Sequence, residues 1–539
     1  MRITELKLPL DHSEADLRQA IVRRLGIASS ELVGWTVFRR NHDARRRNAI
    51  ALIYTLDVVL KDEPAVMARL ADDRQIGVTP DMTYRFVAHA AEEAPHRRPV
   101  VIGTGPCGLF AGLLLAQMGF RPLILERGKA VRERTRDTWG LWRGGRLNPE
   151  SNVQFGEGGA GTFSDGKLYS QVKDPGYRAR KVLTEFVKAG APAEILYIGK
   201  PHIGTFRLVS MVETMRAEIH ALGGEIRFDA RVDDLAIDNG AVAGLALASG
   251  ERVPADHVVL AIGHSARDTF AMLFRAGVRM EAKPFSIGVR IEHPQSLIDQ
   301  ARFGKFAGHP LLGAADYKLV HHCANGRSVY SFCMCPGGTV VAATSEPGCV
   351  VTNGMSQYSR NERNANSALV VDVTPDDFPG GAANPLSGIE YQRHWEGLAF
   401  AAGGRGYDAP GQRVGDFLAG RPSTELGPVL PSYTPGVRPA DLTACLPDYV
   451  VFALREALPA FGRQIRGFDM ADAVLTGVET RTSSPLRIPR GVDFQSTNTR
   501  GLYPAGEGAG YAGGILSAAI DGIRVAEAVA IDLAASGRR

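Results

Sequence analysis

Apolar and polar residues alternate from the start of the chain. Arg2 to Leu8 reads as ITELKL, which points successive side chains to opposite faces of a strand. The period then changes. Between Asp11 and Gly26, Leu17, Ala20, Ile21 and Leu25 recur at spacings of three and four, predicting a helix that Gly26 stops. Val33 to Arg40 and Ile50 to Leu60 are rich in β-branched and aromatic residues and predict strands, and Pro64 to Asp72 predicts a short helix. A β-α-β-β-α-β order over residues 1–95 predicts a ferredoxin-like α+β module. The charged, proline-marked tract from Glu92 to Pro99 reads as a linker.

The pattern beyond it is that of an α/β unit. Val100–Ile102 is a short, wholly apolar strand, Leu109–Met118 an apolar helix and Leu123–Leu125 a second buried strand. Residues 139–175 are Gly-rich loops and 207–222 form an amphipathic helix, with strands expected near 225–237, 241–247 and 257–262. The tract 284–350 is strand-rich. Residues 351–440, full of Gly, Pro, Asn and Ser, keep only intermittent periodicity and read as loops or a lid. A helix is predicted over 448–461, and 501–530 return to a strand, a Gly-rich turn and a long helix. This divides the large unit into 99–283, an inserted β-rich domain with long loops at 284–440, and 441–539, which completes the inserted domain and returns to the first part.

One segment carries chemistry. Val100-Val101-Ile102-Gly103-Thr104-Gly105-Pro106-Cys107-Gly108-Leu109 places GxGxxG between an apolar strand and an apolar helix, the context that motif requires. Gly103 permits the tight turn, Gly105 lets backbone approach a pyrophosphate, and Gly108 lets helix and strand pack closely. The phosphates would sit at the helix N-terminus. Glu126, in Leu125-Glu126-Arg127-Gly128, lies 23 residues past Gly103, the distance at which a carboxylate accepts from ribose hydroxyls. An acid there favours an unphosphorylated ribose. The three glycines do not separate FAD from NAD.

The C-terminal run Tyr503-Pro504-Ala505-Gly506-Glu507-Gly508-Ala509-Gly510-Tyr511-Ala512-Gly513-Gly514-Ile515 resembles the segment that closes on FAD in the two-dinucleotide-binding-domain flavoprotein superfamily. That superfamily more often has Asp where this chain has Glu507. Further runs, Asn152 to Leu168, Ile287 to Pro294, Ser331 to Gly338 and Ser359 to Ser367, resemble a bacterial family of FAD-dependent dehydrogenase-like proteins of unassigned substrate. The resemblance implies an FAD-binding Rossmann-like domain of the three-layer ββα kind with an inserted mixed β-rich substrate domain. It implies cofactor contacts at Gly103, Gly105, Pro106, Gly108, Glu126, Arg127, Gly159, Gly161, Val232, Gly263, Gly506, Glu507, Gly513, Gly514 and Ile515. No second strand-borne GxGxxG lies between 180 and 450, so NAD(P)H is expected, if at all, as a transient partner.

Candidate catalytic residues are fewer. Lys167 could stabilise negative charge on a reduced flavin or bind a substrate carboxylate. Arg290 and His293 are expected on the substrate face, and His293 is the leading acid/base because its free pKa lies near neutrality. His264 follows the strand expected beneath the cofactor. Cys333 and Cys335 alternate on a strand, which puts both on one face; two buried core thiols are the first reading, a metal site or a redox dithiol the others. No metal is expected.

Composition sharpens the exclusions. The chain has 539 residues, 45% hydrophobic and 22% charged, which excludes fibrous and wholly disordered classes. Six cysteines are too sparse for a disulfide-built scaffold, and an early-charged N-terminus without an apolar core argues for a water-soluble, cytoplasmic protein without a membrane span. A net charge of +4 is weak evidence for polyanion binding. Arg39, Arg40, Arg45, Arg46 and Arg47 nevertheless form the densest basic cluster, a candidate contact for RNA, another polyanion or a protein. The expectation is therefore an FAD-dependent oxidoreductase acting on a small molecule. An RNA-associated flavoprotein and a non-catalytic flavin-holding protein are its rivals.

Overall fold

The computed structural model describes residues 1–91 and 97–536, so most of the predicted linker, Glu92 to Pro99, lies outside the described residues. The N-terminal module has strands Arg2–Pro9, Leu32–Asp43, Ala51–Leu60 and Ile76–Gly77 and helices Glu14–Leu25 and Glu63–Arg69. Its antiparallel sheet runs second-third-first-fourth, the ferredoxin-like arrangement. The first helix starts later than its periodicity predicts because Ser13 caps it: the hydroxyl accepts from Asp16 N while the Asp16 carboxylate accepts from Ser13 N. Gly26, in the left-handed region, ends it. Leu17, Ile21 and Leu25 join the sheet's inward residues in one core.

The edge strand of this module is not left bare. Arg40 N donates to Tyr197 O at 2.6 Å and Gly199 N donates back to Arg40 O at 2.9 Å. On the other side of the module Tyr84 donates to Glu527 at 2.9 Å, fastening the following segment to the C-terminal helix.

At the centre of the large unit five parallel strands are ordered Leu502–Pro504, Val258–Leu260, Val100–Ile102, Leu123–Leu125 and Glu225–Arg227. Strand periodicity sorts their side chains. Val101, Ile124, Val259 and Tyr503 face helices Pro106–Gln117 and Ile515–Ser536, while Val100, Ile102, Leu123, Leu125, Val258, Leu260 and Leu502 face an antiparallel meander, Val232–Asp238, Ala241–Leu247 and Arg252–Pro254. This gives three layers. The two helices cross where Gly522 meets Cys107: a Cβ on Gly522 would lie 2.2 Å from Cys107 O, so only glycine allows that approach. The crossing brings the two Gly-rich helix starts together.

The inserted domain is an eight-stranded mixed sheet. Phe285–Pro294 lies between Asn364–Val373 and Val474–Glu479, and Ser328–Ala342 flanks Asn364–Val373. The expectation of loops or a lid over 351–440 is therefore corrected in part: the tract supplies a central strand and the helix Ser387–Ala402. Asn364–Val373 hid because its first half, Asn364-Ala365-Asn366-Ser367, is mostly polar although buried, Asn364 donating to Glu292 and the Asn366 oxygen accepting from Arg290. Among the described residues no helix is long and apolar enough to cross a membrane.

Candidate functional site

A cavity of about 400 Å³ runs from the first Gly-rich turn to the inserted sheet. At one end lie Gly103, Gly105, Pro106 and Cys107, at the start of a helix that no side chain caps. The turn is close-packed: Gly103 has φ +101°, and a Cβ on Gly108 would lie 1.9 Å from Gly103 O. Gly105 differs, since its Cβ would meet nothing closer than Gly159 Cα at 3.8 Å. With the helix N–H groups beside it, this end suits an anion.

Glu126 is buried on the cavity wall and joins two loops. One carboxylate oxygen accepts from Thr104 N (2.9 Å) and Thr104 Oγ1 (2.7 Å), the other from Gly128 N (2.9 Å) and Gly156 N (3.0 Å). Arg127, beside it, lies over the Phe155 ring and pairs with Glu150 and Asp268. Sequence reasoning missed Arg134, which holds the Gly-rich loop from below. Fully buried, it donates to Asn152 O (2.8 Å), Val153 O (2.7 Å), Gly156 O (3.2 Å) and Glu157 O (2.6 Å). Burial pulls its pKa down to about 10 against the attraction of Glu126 and Glu157. Gly159, Gly161, Val232 and Gly263 line the same wall.

The other end is polar and mixed. Gly513, Gly514 and Ile515 open the C-terminal helix there beside Glu507, opposite Lys167, Phe332, Cys333, Asn353, Glu479 and Arg481. Lys167 donates to Met334 O and lies 3.6 Å from Asp165. Burial opposes its charge, but the Cys333 and Cys335 thiols and Asp165 outweigh it and hold the ammonium above its ordinary pKa. Burial pushes Glu479 up to about 7, against Arg290, and Glu507 up to about 7, against the Gly514 N–H and Lys283. His264 is pushed down to about 3 by burial and by Arg481 and Arg267, so its imidazole is neutral. Glu479, Arg481 and Asn353 escaped the sequence reading. The signal was there in Val478-Glu479-Thr480-Arg481-Thr482, where charged residues follow the apolar run Ala473-Val474-Leu475.

Four residues expected at the site do not line the cavity: Gly108, Gly506, Arg290 and His293. Gly108 and Gly506 lie behind it, Gly506 against Cys107. Arg290 and His293 are three apart on one strand and so face opposite sides, which corrects the expectation of a shared substrate face. His293 is fully buried against Phe468, its Nε2 at 2.6 Å from Phe468 O, and burial lowers its pKa to about 4. Arg290 acts through others, donating to Glu479 (3.2 Å), Asn366 (2.7 Å) and Cys333 O (2.8 Å). In the basic cluster, Arg40 is used in docking and Arg45 pairs with Asp43, while Arg39, Arg46 and Arg47 are exposed.

The residues present fit an extended flavin dinucleotide. A Cβ at Gly263, Gly513 or Gly514 would meet nothing within 4 Å, so these glycines leave a cradle that side chains would fill. An uncapped helix start lies at one end, and an ammonium and two neutralisable carboxyls at the other.

A family model described as "FAD-dependent protein, C-terminal domain-like" matches residues 284–482, one described as "Flavin containing amine oxidoreductase" matches 190–286, and a domain of unknown function matches 1–59. An uncharacterized protein of Clostridium beijerinckii is 48% identical over 528 residues, covering 98% of each chain. Among solved structures, halogenase PltM is similar over 81% of this chain and 69% of its own, at 12% identity and a TM-score of 0.39. Glycine oxidase from Bacillus cereus is similar over 81% and 95%, at 12% identity and a TM-score of 0.31.

Proposed function

The chain belongs to a family of bacterial FAD-dependent proteins together with its Clostridium beijerinckii relative, and from that premise we propose that it transfers a hydride between FAD and a small molecule held against Glu479. The observation that carries this reading is one cavity lined by both Gly-rich helix starts and by a polar wall of the inserted sheet. When bound, FAD supplies a two-electron acceptor and donor. The chain's own residues do the rest. Gly103 to Cys107 and the start of helix Pro106–Gln117 would hold the diphosphate, beside the loop fixed by Glu126 and Arg134. Lys167 places a fixed positive charge at the redox end. Glu479 takes or gives the substrate proton, since a carboxyl poised near neutrality serves either way. Arg481 gives four hydrogen bonds to Glu396, Ser265 and Ser345 and so shapes the wall.

Titrating the purified chain with FAD tests the cofactor, with one equivalent expected to bind. Anaerobic mixing with NADH, NADPH and a panel of amines, amino acids and alcohols tests turnover. NADH or NADPH is expected to act as a transient electron donor. A chain that binds FAD yet is reduced by none of them leaves the holding role, and the oxidoreductase reading fails.

Glu479 also makes the site pH-sensitive. Arg290, Thr352 and Cys333 face it. Its raised pKa keeps it neutral below about 7 and ionises it above. The absorption spectrum of bound FAD is expected to shift with a midpoint near that pH, and Glu479→Gln to remove the part of the shift that survives in Glu507→Gln. In Glu507→Gln the Glu479 midpoint remains. Removing the general base lowers flavin reduction by substrate about 10²- to 10⁴-fold.

Arg39, Arg46 and Arg47 support a second reading, a polyanion contact beside the flavin unit. RNA binding that weakens steeply with salt and disappears when all three become Ala is its expected result; salt-insensitive or absent binding removes it.

A further inference from the structure

The strand Ser328–Ala342 breaks register against Asn364–Val373 twice, between Phe332 and Cys335 and again between Cys335 and Gly338. Cys333 occupies the first break with φ +45°, the left-handed region, which costs a non-glycine residue about 1–3 kcal/mol. A regular strand would have left both cysteines as neighbours on one face. The bulge instead gives them different environments: Cys333 is half-buried on the cavity wall, and Cys335 is fully buried behind it. Across the bulge Cys335 Sγ donates back to Cys333 O at 3.3 Å, so the resolving sulfur lies against the backbone of its neighbour.

Two cations clamp the bulge, Arg290 fully buried and Lys167 half-buried. Arg290 donates to Cys333 O at 2.8 Å and lies 3.9 Å from Cys335 Sγ. Lys167 donates to the next carbonyl, Met334 O. The acids nearby do not cancel both charges: Asp165 is shared with Arg360, and Glu479, held by Arg290, is poised near neutrality. A thiolate is the charge this pocket lacks. The Cys335 S–H, together with Lys167 and Arg290, lowers the Cys333 thiol, whereas the charge on Cys333 and burial raise Cys335 against those same cations, which separates a nucleophile from its resolving partner. Core thiols that only pack need neither cations nor strained backbone. The other sequence-near cysteines are engaged elsewhere, Cys323 donating to Ala453 O and Cys349 lying beside Glu346 and Glu396.

We propose that Cys333 and Cys335 are a redox-active dithiol of the flavin site, with Cys333 the thiolate on the cavity wall and Cys335 the resolving thiol. The inference rests on the FAD reading above. Oxidation forms one bond, Cys333 Sγ to Cys335 Sγ, and breaks the Cys335 S–H. Two electrons leave the sulfurs, and they and the released proton pass to oxidised FAD, giving the reduced anionic flavin. In the reverse direction the disulfide takes back two electrons and one proton. Each chain then stores two electron pairs, one in the flavin and one in the sulfurs.

The test uses FAD-loaded protein without oxygen. After treatment with diamide and denaturation in N-ethylmaleimide, the peptide bearing Cys333 and Cys335 is expected unlabelled and two hydrogens lighter by mass spectrometry; after prior reduction it carries two labels. Dithionite titration of the oxidised wild type is expected to consume four electrons per bound FAD, and of Cys333→Ser only two. The labelling needs no variant, so a misfolded mutant does not blunt it. Wild-type protein that binds FAD but takes up two electrons, or whose two cysteines both label after diamide, overturns the proposal. A chain that binds no FAD overturns the cofactor reading first, a result distinct from either.

Discussion

Replacing Glu396 with Gln is expected to lower the unfolding free energy by about 3–5 kcal/mol, the cost of breaking a buried ion pair from one side. Glu396 is fully buried on the helix Ser387–Ala402. Its carboxylate accepts from Arg267 (2.7 and 3.0 Å), Arg481 (2.9 and 3.1 Å) and Thr480 (2.8 Å). Gln keeps the volume but not the charge, and its amide N–H groups would point at guanidinium donors. Glu346, also paired with Arg393, then remains as the acid beside two buried arginines. Arg267 begins a helix of the flavin unit and Arg481 follows a strand of the inserted sheet, so the same carboxylate fastens the joint over the cavity. Urea unfolding of wild type and Glu396→Gln measures the loss. Arg393→Gln is the control: this partly exposed pair is worth at most about 1 kcal/mol. Equal effects of the two substitutions would show the buried triad to be unimportant.

The same carboxylate gives a pH signature. Arg267 and Arg481 overcome the burial that would raise it and hold Glu396 well below its unfolded value of 4.5. A depressed carboxyl stabilises the fold above the unfolded pKa and loses that contribution as pH falls below it. Wild type should therefore lose stability on acidification more steeply than Glu396→Gln, and the two unfolding curves should converge in acid.

Legibility from sequence depended on whether the signal was local. The turn Gly103–Gly108 and the run Gly506–Ile515 could be read because each is a backbone shape that only glycine provides, written in consecutive residues. The ferredoxin-like order was legible because its strands alternate and its first helix keeps one apolar face. Arg134, Glu479, Arg481 and Glu396 were not, because a buried charge makes sense only beside its partner, and those partners lie across the chain. Arg290 and His293 show the opposite error. They were placed by nearness in sequence, whereas strand period sends one behind Glu479 and the other into the Phe468 core. The bulge at Cys333 interrupts an alternation that the residues alone keep regular.

Gly105→Ala is expected to weaken FAD binding at least about 100-fold, or about 2.8 kcal/mol, while leaving the flavin-free fold unchanged. The argument compares two glycines of one motif. Gly105 has φ −66° and ψ 179°, a conformation open to any residue, and its Cβ would stand 3.8 Å from Gly159 Cα, an ordinary contact. Nothing in the protein itself therefore requires glycine there. What requires it is a group that needs the space beside the uncapped helix start, and a diphosphate drawn to those N–H groups is such a group. Gly108 is the contrasting case. Its Cβ would overlap Gly103 O at 1.9 Å, so Gly108→Ala must move backbone and is expected to destabilise the flavin-free chain by about 1–3 kcal/mol, with FAD binding lost as a consequence. Urea unfolding of the flavin-free proteins separates the two variants, and FAD titration followed by flavin fluorescence measures the affinity. If Gly105→Ala binds FAD as tightly as wild type, no diphosphate lies at this turn, and the reading that places FAD along the cavity is lost with it.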